Sequence, residues 1–157
     1  MFKPALVLLF CMGLLGCQSN QTPFVPQAIK KPGNGKIYVY WAGQRWAEKS
    51  GKSAELQIDG VPVGVLRYKK YIEMEMAAGS YELRLTGDSP DADWDAPDQA
   101  FTGRLDAGEI KYVRLLVKYD QQTNSLGHGL LDYAVLFLPR AEREARLEMY
   151  GLKKVGD

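Results

Sequence analysis

The chain has 157 residues, with 20 Lys or Arg against 19 Asp or Glu, one histidine and two cysteines. That length serves one domain around a single core rather than two, and so few His and Cys leave no zinc ligand set. When residues 1–16 are set aside Lys3 goes with them, the two signs balance, and no nucleic-acid partner is expected.

Residues 1–16 read as a secretory signal, with Lys3 ahead of an apolar run over residues 5–15. The run is about half of the ~20 residues that a transmembrane helix needs. It closes on Leu14-Leu15-Gly16-Cys17. This stretch resembles the lipobox of bacterial lipoproteins, although Leu15 stands where a smaller residue is usual. The resemblance implies cleavage after Gly16, acylation of Cys17 with palmitate-type chains, and a membrane partner reached through that anchor. Cys11 would leave with the signal, so the mature chain keeps no thiol for a disulfide. Gln18 follows the cysteine where an inner-membrane retention signal would place Asp, which implies the periplasmic face of the outer membrane.

Residues 17–35 are rich in Gln, Ser, Pro and Gly and show no hydrophobic period. They are expected to form the lipidated N-terminus and a flexible tether with a root-mean-square span of about 23 Å, so that the domain hangs near the membrane without touching it. Residues 36–41 alternate as a strand that is apolar on both faces. A polar loop over residues 42–52 carries Arg45 and Trp46. Residues 55–58 and 61–66 flank Asp59-Gly60, a dipeptide suited to the positive φ angles of a type I′ hairpin turn. Pro62 cannot donate to a ladder, so its strand is expected to lie at an edge or to begin late. Residues 71–76 and 81–86 alternate cleanly around Ala78-Gly79-Ser80 and predict a second antiparallel hairpin with one wet face.

Residues 87–99 form an acidic loop with Trp94, and a short strand is expected over residues 101–105. Ala107-Gly108 turns the chain into a strand over residues 109–119, where Val113, Leu115 and Val117 share a face. Residues 120–129 read as a polar loop and residues 130–138 as a strand buried on both sides. Pro139 is placed to open a helix over residues 140–150, with Glu142 four before Arg146 and Gly151 as its stop. Ala141, Ala145 and Met149 align on that helix, whereas Leu147 and Tyr150 fall on the far side, so it is expected to pack loosely or to lie in a partner's groove.

The sum is a mainly β chain: a small antiparallel β-sandwich over residues 36–139, then one C-terminal helix and tail over residues 140–157. The series Ile37-Tyr38-Val39-Tyr40, Ile58-Asp59-Gly60 with Val63-Gly64-Val65-Leu66, Ala78-Gly79-Ser80-Tyr81, and Ala107-Gly108-Glu109 with Tyr112-Val113 resembles an uncharacterised family of bacterial lipoproteins. Their domain of unknown function is similar to PEGA-type β-sandwich modules. The resemblance implies the fold and brings no catalytic residues.

Little chemistry is on offer. Asp91, Asp93 and Asp95 alternate as at the start of a calcium loop, but Ala96 replaces the turn glycine and Thr102 the closing glutamate, so a solvated acidic loop is expected and no metal. His128 has Ser125 and Asp132 near it in sequence without a nucleophile elbow or a second base. No cofactor and no enzymatic activity are expected. The candidate binding surface is Arg45 and Trp46 with Leu147 and Tyr150, since Trp, Tyr and Arg concentrate interface energy. The leading expectation is a non-enzymatic binding or accessory module with an envelope protein as partner. The alternative is a glycan- or peptidoglycan-binding domain that stacks sugar on the Trp46 loop.

Overall fold

The computed structural model describes residues 22–43, 52–123 and 129–156, and for residues 118–123 and 129–134 the course of the backbone alone. In chain order its elements are β1 (Asn34–Tyr40), β2 (Ser53–Ile58), β3 (Val61–Arg67), β4 (Lys70–Ala77), β5 (Gly79–Thr86), β6 (Gln99–Leu105), β7 (Ile110–Thr123), β8 (Gly129–Arg140), α1 (Glu142–Glu148) and β9 (Lys153–Lys154). They form a five-stranded sheet in the order β8-β7-β1-β4-β9 and a four-stranded sheet in the order β3-β2-β5-β6. The mainly β sandwich with one short C-terminal helix is thus present.

Local chemistry accounts for the first hairpin. Asp59 and Gly60 take φ angles of 49° and 78°, the left-handed pair that matches strand twist in a tight β2–β3 turn. Asp59 also pins the turn to β5: its N–H donates to the Glu82 carbonyl at 2.9 Å, and its carboxylate accepts from the Glu82 N–H at 2.8 Å. Pro62 lies on β3, an edge strand, beside a register shift between Leu56 and Gln57. An edge with an irregular ladder is where a residue without an N–H is tolerated.

The second expected hairpin is not one. β4 pairs with β1 and β9, whereas β5 pairs with β2 and β6, so the chain changes sheets between them. Gly79 makes the crossing at a φ of 153°, and the Ala78 N–H is held by the Gly33 carbonyl. Both strands turn their apolar side to the space between the sheets. Alternation reports which side is apolar, and a hairpin and a crossing share that pattern.

Three further expectations shift. β7 continues to Thr123 and pairs with β8 through residues expected to be loop, because ladder bonds join backbones and require no apolar side chain. β8 is an edge strand, and Leu136 is 46% exposed rather than buried. Pro139 lies within that edge strand, opposite Val113, and α1 starts later, at Glu142, after the N-cap Ala141. The helix also ends earlier, at Glu148 with Met149 as its C-cap, and Gly151 follows in the turn beyond it at a φ of 75°.

Between the sheets lies the main core. Ile37, Val39 and Trp41 meet Leu56, Leu83 and Leu85 there, all essentially out of solvent. Trp41 stands edge-on to the half-buried Trp94 at 6.3 Å and 89°, which is the core role its alternation predicts. The opposite face of the five-stranded sheet is covered too, as the apolar pattern of residues 36–41 requires, and its cover comes from the two ends of the described chain.

Candidate functional site

The floor of this second layer is set by strand periodicity. Side chains alternate across a strand, so Lys36, Tyr38 and Tyr40 of β1 point away from the main core. Tyr71, Glu73 and Glu75 of β4 stand opposite Tyr40, Tyr38 and Lys36 in the ladder. On the other side, Tyr112 and Arg114 of β7 stand beside Tyr38 and Tyr40. Four aromatic rings gather on this floor: Phe24 sits edge-on to Tyr38, Tyr71 and Tyr112 at 5.1, 5.4 and 6.4 Å, and Tyr38 stacks on Tyr112 at 5.5 Å.

Phe24 belongs to the segment expected to be a free tether. Residues 22–33 have no helix or strand, as their composition predicts, yet they form a strap fastened to the sheet. Lys36, only 1% exposed, donates through Nζ to the Gln27 and Ala28 carbonyls at 3.1 and 2.9 Å and to Glu73 Oε1 at 2.7 Å. The Tyr38 hydroxyl accepts from the Gln27 N–H at 2.7 Å. The Lys30 and Lys31 N–H groups donate to the Glu75 carboxylate at 2.9 and 2.8 Å. A tether reading from composition misses this, because one aromatic and one lysine on the receiving strand are enough to hold a segment without periodicity.

The other half of the cover is α1, which is not loosely packed. Ala145 and Met149 are fully buried against Tyr38, Tyr40 and Tyr112. Glu148 anchors its end: Tyr40 donates its hydroxyl to Oε2 at 2.6 Å and Arg114 donates to Oε1 at 2.8 Å, with Arg140 at 3.7 Å.

Protonation follows from this geometry. Burial pushes the Glu73 carboxyl up, but hydrogen bonds from Lys36 and Lys154 outweigh it and leave the group below its usual range. The Lys30 N–H, with that of Lys31 and the Asn34 amide, holds Glu75 down as well. Burial first and the Glu148 hydrogen bond second push the Tyr40 hydroxyl up, and burial raises Tyr112 to about 12. These groups are committed to one another, and chemically they clamp chain segments.

What remains open is the outward side of the cover. Arg143, Arg146, Leu147 and Tyr150 follow the i, i+3, i+4, i+7 spacing of one helical face and line a shallow groove with Glu142, Pro23 and Phe24. Leu147 is 74% and Tyr150 47% exposed, so both sit on the far side as their spacing predicts. Glu142 pairs with Arg146 at 3.5 Å. Cys17, Arg45, Trp46 and His128 lie outside the described residues.

In the acidic loop an ammonium group stands where a bound cation would: Lys52 Nζ lies 3.2 Å from Asp93 and 3.1 Å from Asp95. Those carboxylates in turn raise the Lys52 pKa, the hydrogen bond that Lys52 donates to Asp95 foremost. Ser53 ties the loop to β2, its Oγ donating to the Asp91 carbonyl and accepting from the Asp93 N–H. Among the described residues no three His, Cys, Asp or Glu side chains cluster in a way that could hold a metal ion.

The model of a family described as a protein of unknown function (DUF2846) matches residues 30–129, and the chain belongs to that family. No curated protein and no solved structure matches it. The matched stretch contains the floor strands β1, β4 and β7, whereas Phe24 and α1 lie outside it.

Proposed function

We propose that this DUF2846 member is a lipoprotein of the bacterial envelope, acylated at Cys17 and held on the periplasmic face of the outer membrane, where it acts as a non-enzymatic binding or accessory module. The observation that carries the reading is Leu14-Leu15-Gly16-Cys17 at the end of an apolar run too short to span a bilayer. Two further features support it. Among the described residues no helix is long and apolar enough to cross a membrane. The buried Lys36 and the half-buried Glu73 and Glu148 are spent on holding the strap and α1, which favours surface presentation over catalysis. The two-sheet architecture also fits a PEGA-type module, on the strength of its short strands and tight turns.

The test is metabolic labelling with a palmitate analogue followed by fractionation. Label on the parent chain, and loss of both label and membrane association in Cys17→Ser, is the expected result; a Cys17→Ser chain still membrane-bound after a high-salt wash would remove the lipoprotein reading. Recovery of a defined envelope protein with the solubilised chain supports the accessory role. Retention on purified cell-wall sacculi, lost in Trp46→Ala, would instead favour a glycan site at Arg45 and Trp46.

A further inference from the structure

The place where the chain enters the fold limits how far the domain can stand from its anchor. The Gly151 N–H donates to the Thr22 carbonyl at 3.2 Å, which puts the entry point directly after α1, beside Tyr150. From there Pro23 and Phe24 run along the groove that Arg143, Arg146, Leu147 and Tyr150 line. Only five residue steps separate Cys17 from Thr22, and five steps reach at most about 17 Å when fully extended. The headgroup layer of one leaflet takes up about 5–8 Å of that. Thr22 therefore stays within about 10 Å of the membrane surface, and the exposed face of α1 stays with it.

That face has the chemistry of an interfacial helix. Leu147 and Tyr150 supply apolar and amphipathic surface, and Arg143 and Arg146 flank them with positive charge. Arg146 shares its charge with Glu142, whereas Arg143 is exposed and has no ion pair among the described residues. We infer that the Arg143, Arg146, Leu147 and Tyr150 face of α1 docks on the phospholipid headgroups of the membrane that holds the Cys17 anchor, so that the domain lies against the bilayer in one orientation. This inference rests on the lipoprotein reading above. It replaces the picture of a domain hanging clear of the membrane on an eighteen-residue leash.

The experiment uses the acylated mature chain in vesicles of phosphatidylethanolamine and phosphatidylglycerol, with an environment-sensitive fluorophore on Leu147→Cys. Tyr150→Cys is a second position on the same face. Arg104→Cys on β6, whose side chain is 77% exposed, is the control. The expected result is a blue-shifted label at 147 and 150 that an aqueous quencher reaches severalfold more slowly than the label at 104. Arg143→Glu should weaken that protection by at least about fivefold, as for one cation lost near an anionic surface. Equal quenching at 147, 150 and 104 would overturn the docking while leaving the anchor intact. Protection that appears in soluble Cys17→Ser chains and grows with concentration would assign the face to a second copy, and protection confined to native envelopes would assign it to a protein; either overturns the inference. An intact mass without acyl chains would show instead that the lipoprotein reading has failed.

Discussion

The two faces of the five-stranded sheet are held by different physics. On the inner face Ile37, Val39 and Trp41 meet the second sheet through apolar contact. Such contact is non-directional and accumulates over many neighbours. On the outer face Lys36, Tyr38 and Tyr40, one residue out of phase, receive the strap and α1 through a smaller apolar cluster with Phe24, Ala145 and Met149 and, beyond it, through directed bonds: two carbonyls and a carboxylate on Lys36, and the Tyr40 and Arg114 bonds to Glu148. One strand thus divides the labour. Its inner residues join the layers, and its outer residues fasten the ends of the described chain.

The contrast predicts unequal responses to single substitutions. The largest belongs to the inner face. Trp41→Ala removes a 1% exposed indole and its Trp94 contact, and should cost about 3–5 kcal/mol in one global denaturant transition. A loss below about 1 kcal/mol, the size seen at ordinary surface sites, would show that the inner face is not one continuous core.

On the outer face Lys36→Met keeps the aliphatic stem and removes the bonds to the strap. Glu73 still has Lys154 at 3.3 Å, so the cost should fall to about 2 kcal/mol, below the 3–5 typical of a buried charge left alone. Amide exchange should accelerate at Lys30 and Lys31 while β2 and β5 keep their protection. Equal acceleration in β2 and β5 would mean that the two faces unfold as one.

Acid should sharpen the same difference without mutation. Glu73 lies below its ordinary value of 4.5 in the folded chain. Between the two values the unfolded chain binds a proton that the folded chain does not, so this stability is fully present above 4.5 and is lost as the pH falls through the lower folded value. Glu75, which holds the Lys30 and Lys31 N–H groups, is lowered in the same sense, so the strap amides should lose protection in that window, and Glu73→Gln combined with Glu75→Gln should flatten the dependence. A strap whose protection is the same at pH 6 and pH 3 would contradict the clamp.

The smallest effect is expected furthest from both layers. Leu147→Ala should shift stability by less than about 0.5 kcal/mol in the soluble Cys17→Ser chain, as at an exposed position. A loss of 2 kcal/mol or more, as in a packed core, would place Leu147 in the fold rather than on its docking face.

Much of this was legible before any coordinates. Asp59-Gly60 announces its turn because few dipeptides accept two successive positive φ angles, and Pro62 announces an edge because it has no N–H to donate. The inner face reads directly from alternation at Ile37, Val39 and Trp41. The i, i+4 arrangement of Ala141, Ala145 and Met149 separates the buried side of α1 from Leu147 and Tyr150. Those signals are local: each states a backbone requirement or a burial preference within one element.

The sequence by itself therefore determined the mainly β class, the inner face of β1, the first hairpin and the exposure of Leu147 and Tyr150, because these follow from steric limits and side-chain periodicity along the chain. Only the tertiary structure decided that β4 and β5 belong to different sheets, that β1 runs parallel to β7 and that residues 120–123 continue a strand. It also decided that the strap is bound. Such pairings are choices among neighbours of similar polarity, and the carbonyls of Gln27 and Ala28 carry no side-chain signature. They become ligands for Lys36 only when a strand nine residues further along is folded beneath them.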